Sequence, residues 1–307
     1  MAKVPAVAPA DCHAQLNAAL DDALEEFAKK PAISDEGVHA ARKALKRARA
    51  GLRLLRNVLD DALYRSKNAT LRDTGRQISA MRDSRSLIIA FDSMRDVVPR
   101  LRQVRFRKIR STLLAKHNHA REEFARKAEE QQRAIELLAE CSAEIRKWIL
   151  PSNDPDAIGN GLQKIYKRGL KSYKFARDLV TAEAIHEWRK QVKYLANALG
   201  MMAKGGNKKD IKYKKDLDKL ADKLGDDHDL VMLARELAGP SPIDAALRVE
   251  LISLVTQRRS TLKARAFAMG KDLYDLKPKQ WTARYVAQGE SGQPVRNQQG
   301  LPASAHP

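Results

Sequence analysis

Residues 38–46 read VHAARKALK and residues 185–193 read IHEWRKQVK, so the string His-x-x-Arg-Lys-x-x-Lys recurs at a spacing of 147 residues. Two further matches follow in the same order. Residues 78–83 (ISAMRD) align with 224–229 (LGDDHD) at a spacing of 146, and Arg110-Ser111-Thr112-Leu113 recurs as Arg259-Ser260-Thr261-Leu262. Ordered matches at a nearly constant offset mark a duplication, which restricts the fold to two related halves packed about a pseudo-twofold axis.

Apolar residues recur at helical spacing almost throughout, and alternating runs rich in Val, Ile and Thr are absent, so the chain is expected to be all-α. Breaks at Pro31 with Ser34, at 57–61, at Val98-Pro99, at 151–155, at 205–207 and at 239–242 delimit eight expected helices. These are 11–29, 35–61, 66–95, 99–148, 157–178, 182–203, 208–237 and 243–275. The expected organisation is two related four-helix units, 12–150 and 156–280, packed about that axis. The segment 99–148 is long for one globular helix and either projects or breaks. The stretch 289–307 has no apolar face and is expected to be a disordered tail.

The two matched helices share one design. In the first, Val38, Ala41, Leu45, Ala48, Leu52, Leu55 and Leu59 form a core seam at steps of three and four. One residue later, His39, Arg42, Lys46, Arg49, Arg53 and Arg56 follow the same rhythm, so a basic stripe runs about 100° from the buried one. From His39 to Arg53 it covers roughly 21 Å. In the sixth helix, Ile185, Trp188, Val192, Leu195, Leu199 and Met202 are the seam, with His186, Arg189 and Lys193 alongside; Ala196 stands where Arg49 would repeat. Lys164, Lys167, Lys171 and Lys174 add a further stripe on the fifth helix. An ordinary solvated face mixes signs, yet no Asp or Glu occurs between Glu36 and Asp60 or between Asp96 and Glu122. Such stripes are expected to face an anion. For the run from Arg100 to Arg110 a solvated face is as good a reading.

The chain carries 58 Lys and Arg against 38 Asp and Glu, a formal charge of +20, which points to a polyanionic partner. Aromatic residues make up only 5%, poor material for stacking unpaired bases. Cys12 and Cys141 have no zinc or disulfide spacing, and neither a signal peptide nor a membrane-spanning run is apparent, so a cytoplasmic protein without membrane contact is expected.

Paired His-x-x-Arg-x-x-x-Lys helices, as His39/Arg42/Lys46 and His186/Arg189/Lys193, with later Arg82-Asp83 and His228-Asp229, resemble the CHAD domain family over roughly residues 12–280. The family is named for its histidines and helical content. The resemblance implies two four-helix bundles around a basic channel that binds inorganic polyphosphate, and association with polyphosphate granules in bacteria. The residues expected to neutralise phosphates are His39, Arg42, Lys46, Arg49, Arg53, His186, Arg189 and Lys193, assisted by Lys43, Lys190 and the fifth-helix lysines. Arg82 and His228 occupy equivalent positions and either line the channel or form structural ion pairs. Asp83 and Asp229 are expected to orient neighbouring Arg or His side chains. Beside phosphate, His39 and His186 are expected to hold their protons above the reference value of about 6.5.

No Walker A loop, Gly-x-Ser-x-Gly elbow, His-Glu-x-x-His or Glu-x-Glu-x-Lys string occurs, and His117-x-His119 on a helix points its rings apart. The expectation is a binding protein without catalytic activity, metal or cofactor. The alternatives are a nucleic-acid-binding helical protein and a metal-dependent phosphohydrolase.

Overall fold

The computed structural model describes residues 8–29, 34–150, 155–202, 208–240 and 242–284; the expected tail and the breaks at Pro31, 151–154 and 205–207 lie outside them. Among the described residues the chain forms eleven α-helices, three 3₁₀ turns and no strand. The first half comprises α1 (Pro9–Ala28), α2 (Asp35–Leu54), α3 (Asp61–Gln77), α4 (Ser79–Val97), α5 (Arg107–Arg126) and α6 (Ala128–Arg146). The second comprises α7 (Pro155–Leu179), α8 (Ala182–Met201), α9 (Lys208–Ala238), α10 (Ala245–Leu273) and the short α11 (Pro278–Thr282).

The duplication is visible in the helix starts. Ser34 accepts the Gly37 amide at 3.0 Å to cap α2, and Thr181, 147 residues later, accepts the Ala184 amide at 3.2 Å to cap α8. Each satisfies a donor that the first helical turn would leave orphaned. Val38, Ala41, Leu45, Ala48, Leu52 and Leu55 on the α2 side, and Ile185, Trp188, Val192, Leu195, Leu199 and Met202 on the α8 side, are buried as expected, whereas Leu59, the last residue of the expected α2 seam, lies past the helix end and is only partly buried. Each fully buried large side chain stabilises the fold by about 1.5–3 kcal/mol before conformational entropy is charged.

Three expected helices are divided. The stretch expected as 35–61 stops as an α-helix at Leu54 and passes into a 3₁₀ turn, Leu55–Asn57. Asp60 then starts α3 five residues earlier than expected by accepting the Ala62 and Leu63 amides at 2.8 and 3.1 Å. The stretch expected as 66–95 breaks at Ile78, between α3 and α4. The stretch expected as 99–148 begins with 3₁₀ turns at Pro99–Arg102 and Val104–Phe106 and breaks again at Lys127. In the second half the matched segments run unbroken as α9 and α10.

Two hydrophobic cores cut across the repeat. One joins α1, α2, α3, α6, α7 and α8 to the N-terminal half of α9 and the C-terminal end of α10. The other joins α4 and α5 to the C-terminal half of α9 and the N-terminal half of α10. Thus α5 serves one core through Ile109 and Leu113, and α6 serves the other through Leu138 and Ile145. Neither half buries a core of its own.

Between the cores, α2, α4, α8 and α9 close a ring in which each helix packs on two others: α2 on α8, α8 on α9, α9 on α4 and α4 on α2. Two members come from each repeat. At the far end of α2, α7 crosses so closely that a Cβ at Gly161 would overlap the Leu54 carbonyl. That crossing is the reason for glycine there, and it sets α7 beside the end of the α2 stripe.

Candidate functional site

Because the basic stripes lie one residue after the core seams, packing α2 on α8 brings both stripes to the edge of the ring. Arg42, Lys46, Arg189 and Lys193 are each partly buried there. Arg82 enters from α4 and acts electrostatically on His39, Arg42, Lys46, Arg189 and Lys193 alike. The cluster therefore draws cations from three helices and both repeats, and α9 contributes His228.

The anchoring of these cations is largely uncharged. Arg42 donates to the Gly75 carbonyl at 2.9 Å and to the Ser79 hydroxyl. Arg82 donates to His39 Nδ1 at 3.2 Å and to Ser86 Oγ at 2.9 Å. Arg49 donates to Asn68 Oδ1 at 3.0 Å, and Arg53 donates to the Arg49 carbonyl at 2.9 Å while its guanidinium lies 3.6 Å from the centre of the Tyr194 ring. Arg189 Nε and His186 Nδ1 are buried without a hydrogen-bond partner among the described residues. Among those residues, no carboxylate is hydrogen-bonded to Arg42, Lys46, Arg82, Arg189 or Lys193.

Like charge at partial burial appears in the proton affinities. Burial, then Arg42, Lys193, Arg189 and Arg82, push Lys46 down to about 7. Burial and Arg189 push Lys193 down to about 8, against the opposing pull of Asp222 and Asp229. Arg42, Arg49 and Arg189 are lowered chiefly by burial too. Desolvation and then Arg82 lower the exposed His39, and burial followed by His228 takes His186 down to about 4. Both histidines are thus held below the reference value, so it is Lys46 and Lys193 whose charge depends on pH near neutrality.

The two sides of the site differ. On the α9 side, Asp222, Asp226 and Asp229 stand at steps of four and three along the helix and act on Arg189; Asp226 is itself raised by desolvation and then by Asp229 and Asp222. Asp229 lies 3.3 Å from His228, whose ring sits 4.5 Å from that of His186. On the α2 side the acid acting on Arg42 is Asp83, raised by partial desolvation against the pull of Arg42, His228 and Arg82. The sequence reading named only Asp229 of this trio, through its pairing with His228; the four-and-three spacing of Asp222, Asp226 and Asp229 was the signal that could have found the other two.

Other candidates sit farther out. Lys43 is exposed and adds to the field at His39; Lys190 is exposed and paired with Glu187 at 2.5 Å. Lys164 donates to Asn57 at 2.5 Å beyond the end of α2. Lys167, Lys171 and Lys174 are exposed on α7 and make none of the contacts that join the cluster. The Arg100–Arg110 run is tied down by carboxylates: Arg100 and Arg105 meet Glu250 at 2.6 and 3.0 Å, and Arg110 meets Asp92 at 2.9 Å. Ala196 is buried in the core, and Tyr194, which the sequence reading passed over, supplies the α8 contact to Arg49 and Arg53.

His117 is buried, with Ser84 Oγ 3.0 Å from Nδ1 and Asp35 Oδ2 2.9 Å from Nε2, so both ring nitrogens are committed to joining α5 to α4 and α2. Burial pushes Cys12 up to about 12 and Cys141 up to about 11, which leaves both thiols protonated. Among the described residues no helix is long and apolar enough to cross a membrane.

A family model described as CHAD domain matches residues 14–238. Solved structures similar to the chain include the following two. The crystal structure of the CHAD domain from the plant Ricinus communis superposes with a TM-score of 0.67 at 21% identity, covering 90% of this chain and 96% of that one. PptA from Streptomyces chartreusis superposes with a TM-score of 0.60 at 14% identity, covering 88% of this chain and 99% of that one. At these identities the likeness is one of fold. No curated protein matches the sequence.

Proposed function

The chain belongs to the CHAD domain family, and from that premise we propose that it binds inorganic polyphosphate without catalysis along the seam between α2 and α8. One observation carries the reading. Arg42, Lys46, Arg82, Arg189 and Lys193 converge from three helices, and among the described residues no carboxylate is hydrogen-bonded to any of them. Like charges held this close raise the free energy of the empty protein, and a bound polyanion removes that cost.

The residue mixture fits a flexible phosphate polymer. Arg42, Arg82 and Arg189 offer planar forks to phosphate oxygens, whereas Lys46 and Lys193 act as mobile point charges that tolerate variable chain geometry. His39, His186 and His228 supply ring nitrogens at the ends of the cluster. Partial burial of Arg42, Lys46, Arg189 and Lys193 favours a slim polymer over duplex nucleic acid, whose width keeps its phosphates away from a seam between helices. Binding by neutralisation releases counterions, so affinity falls steeply with added salt. Localisation at polyphosphate granules follows from the same affinity.

The test is a binding titration of long-chain polyphosphate against wild type and the Arg42→Ala/Arg189→Ala pair at several salt concentrations, with released phosphate assayed in parallel. Loss of binding in the folded variant, a steep salt dependence in wild type and no phosphate release support the reading. Retained affinity in the variant removes these residues from the site, and steady phosphate release makes the protein a hydrolase.

A further inference from the structure

Val180 ends α7 with φ at 52°, the left-handed conformation that glycine commonly supplies at a helix end, and no other non-glycine residue among those described has a positive φ. A β-branched side chain is strained there. Packing within the chain offsets little of that strain, since Val180 is 46% exposed. Phe175 and Leu179, four residues apart on α7, are exposed as well, so three apolar side chains meet solvent at the corner between α7 and α8. Lys171 stands one turn before Phe175, and Lys174 is its neighbour in sequence. Both lysines are exposed, and among the described residues neither makes an ion pair, whereas Arg177 is held by Asp178 at 3.4 Å.

The matching surface lies on α6. In a chain of formal charge +20, α1 and α6 pack on each other and carry five carboxylates each, against two arginines between them. On the outward side of α6, Leu137 is exposed, with Glu136 before it, Glu140 one turn on and Glu130 two turns back. Arg133 is the opposing cation on that stretch.

We propose that the α7–α8 corner docks on the outward face of α6 in a second copy of this chain, with Phe175, Leu179 and Val180 covering Leu137 and with Lys171 and Lys174 facing Glu136 and Glu140. The contact gives a use to the two lysines, which stand apart from the central cluster, and to the strained valine. Because α6 packs on α1 and α3, and α7 on α8 and α2, each copy presents one surface of each kind. Every copy added leaves both kinds free, so assembly continues past a dimer into a chain or a ring. Few apolar side chains take part, which makes the association weak and reversible. At about 150 mM salt the screening length is about 8 Å, which damps repulsion between the net charges and spares opposite charges in contact. A membrane fits this corner less well. Helices that lie in a bilayer surface offer it an apolar face along their length, and the apolar face of α7, through Leu162, Tyr166 and Tyr173, is taken by the core.

The test is sedimentation velocity of the full chain without polyphosphate, from about 10 to about 500 µM at about 150 mM salt. Wild type is expected to sediment faster as concentration rises. Lys171→Glu/Lys174→Glu and Glu136→Lys/Glu140→Lys are each expected to stay monomeric, since each carries two faces of like charge, and their equimolar mixture is expected to associate again. Val180→Gly removes strain and apolar contact together, so it is expected to melt at a higher temperature than wild type yet associate about fivefold more weakly. Monomeric wild type across the range overturns the proposal, as does a mixture that fails to associate or a Val180→Gly variant that associates as wild type does. Monomeric wild type that co-sediments with phosphatidylglycerol vesicles, and loses them in Val180→Gly, assigns the corner to an anionic membrane instead.

Discussion

Arg82 donates from Nε to Nδ1 of His39 at 3.2 Å across the gap between α4 and α2. A guanidinium has no acceptor to offer, so Nδ1 of His39 must present its lone pair, and in the empty site the ring is neutral with its proton on Nε2. Desolvation and the neighbouring Arg82, Lys46, Lys43 and Lys193 all push His39 the same way, below 6.5.

Replacing Arg82 by Ala removes both the bond and the nearest like charge. His39 is then expected to titrate higher than in wild type, as read from its ring resonances by NMR. An unchanged midpoint means that Arg82 does not govern the histidine.

Proton uptake is expected to accompany binding. Lys46 and Lys193, at about 7 and about 8, are partly neutral at pH 8, and nearby phosphates raise both. Calorimetric titrations at pH 8 in buffers of differing ionisation enthalpy are expected to show net uptake, reduced in Lys46→Arg. Affinity weakens as pH rises from 7 to 9. Zero uptake contradicts the assignment.

The acidic face of α9 is expected to restrain binding. Removing two carboxylates through Asp222→Asn/Asp226→Asn should tighten polyphosphate binding by about two- to fivefold per carboxylate, the scale of partly screened surface charges. Weaker binding in this variant makes the aspartates supports for Arg189 and Lys193 instead of competitors.

How much of this was legible in the sequence depends on the cause of each feature. The α2 and α8 stripes were readable because helical periodicity alone fixes them, and Ser34 and Thr181 start both helices at the same offset. The break at Ile78 was not. The Gly75 carbonyl near that break is taken by Arg42 and by the Ser79 hydroxyl, so a side chain from another helix satisfies it. The break at Lys127 was not legible either: Ile109 and Leu113 of α5 serve one core, while Phe124 at its end and Leu138 and Ile145 of α6 serve the other, a partition that no local pattern encodes. Tyr194 was missed because its partners, Arg49 and Arg53, lie in the other repeat. The neutral histidines escaped the reading because a helical stripe says nothing of how closely cations from α4 and α8 approach.

Acid is expected to destabilise the empty protein. His186 sits at about 4 when folded and near 6.5 when unfolded, so between those values the unfolded chain binds the extra proton. Stability contributed by this group is therefore lost as pH falls from about 6.5 to 4. Urea midpoints should decline across this window, less steeply in His186→Gln, and an equally steep decline in that variant assigns the effect to other groups.

The most direct test of the central claim is a competition titration at about 150 mM salt, where labelled long-chain polyphosphate is challenged with unlabelled duplex DNA, RNA and orthophosphate. Displacement by unlabelled polyphosphate at concentrations where both nucleic acids fail, with no binding by Arg42→Ala/Arg189→Ala, is the expected result. Equal displacement by duplex DNA contradicts it, because an acceptor of wide polymers is an open basic surface and not a seam between α2 and α8.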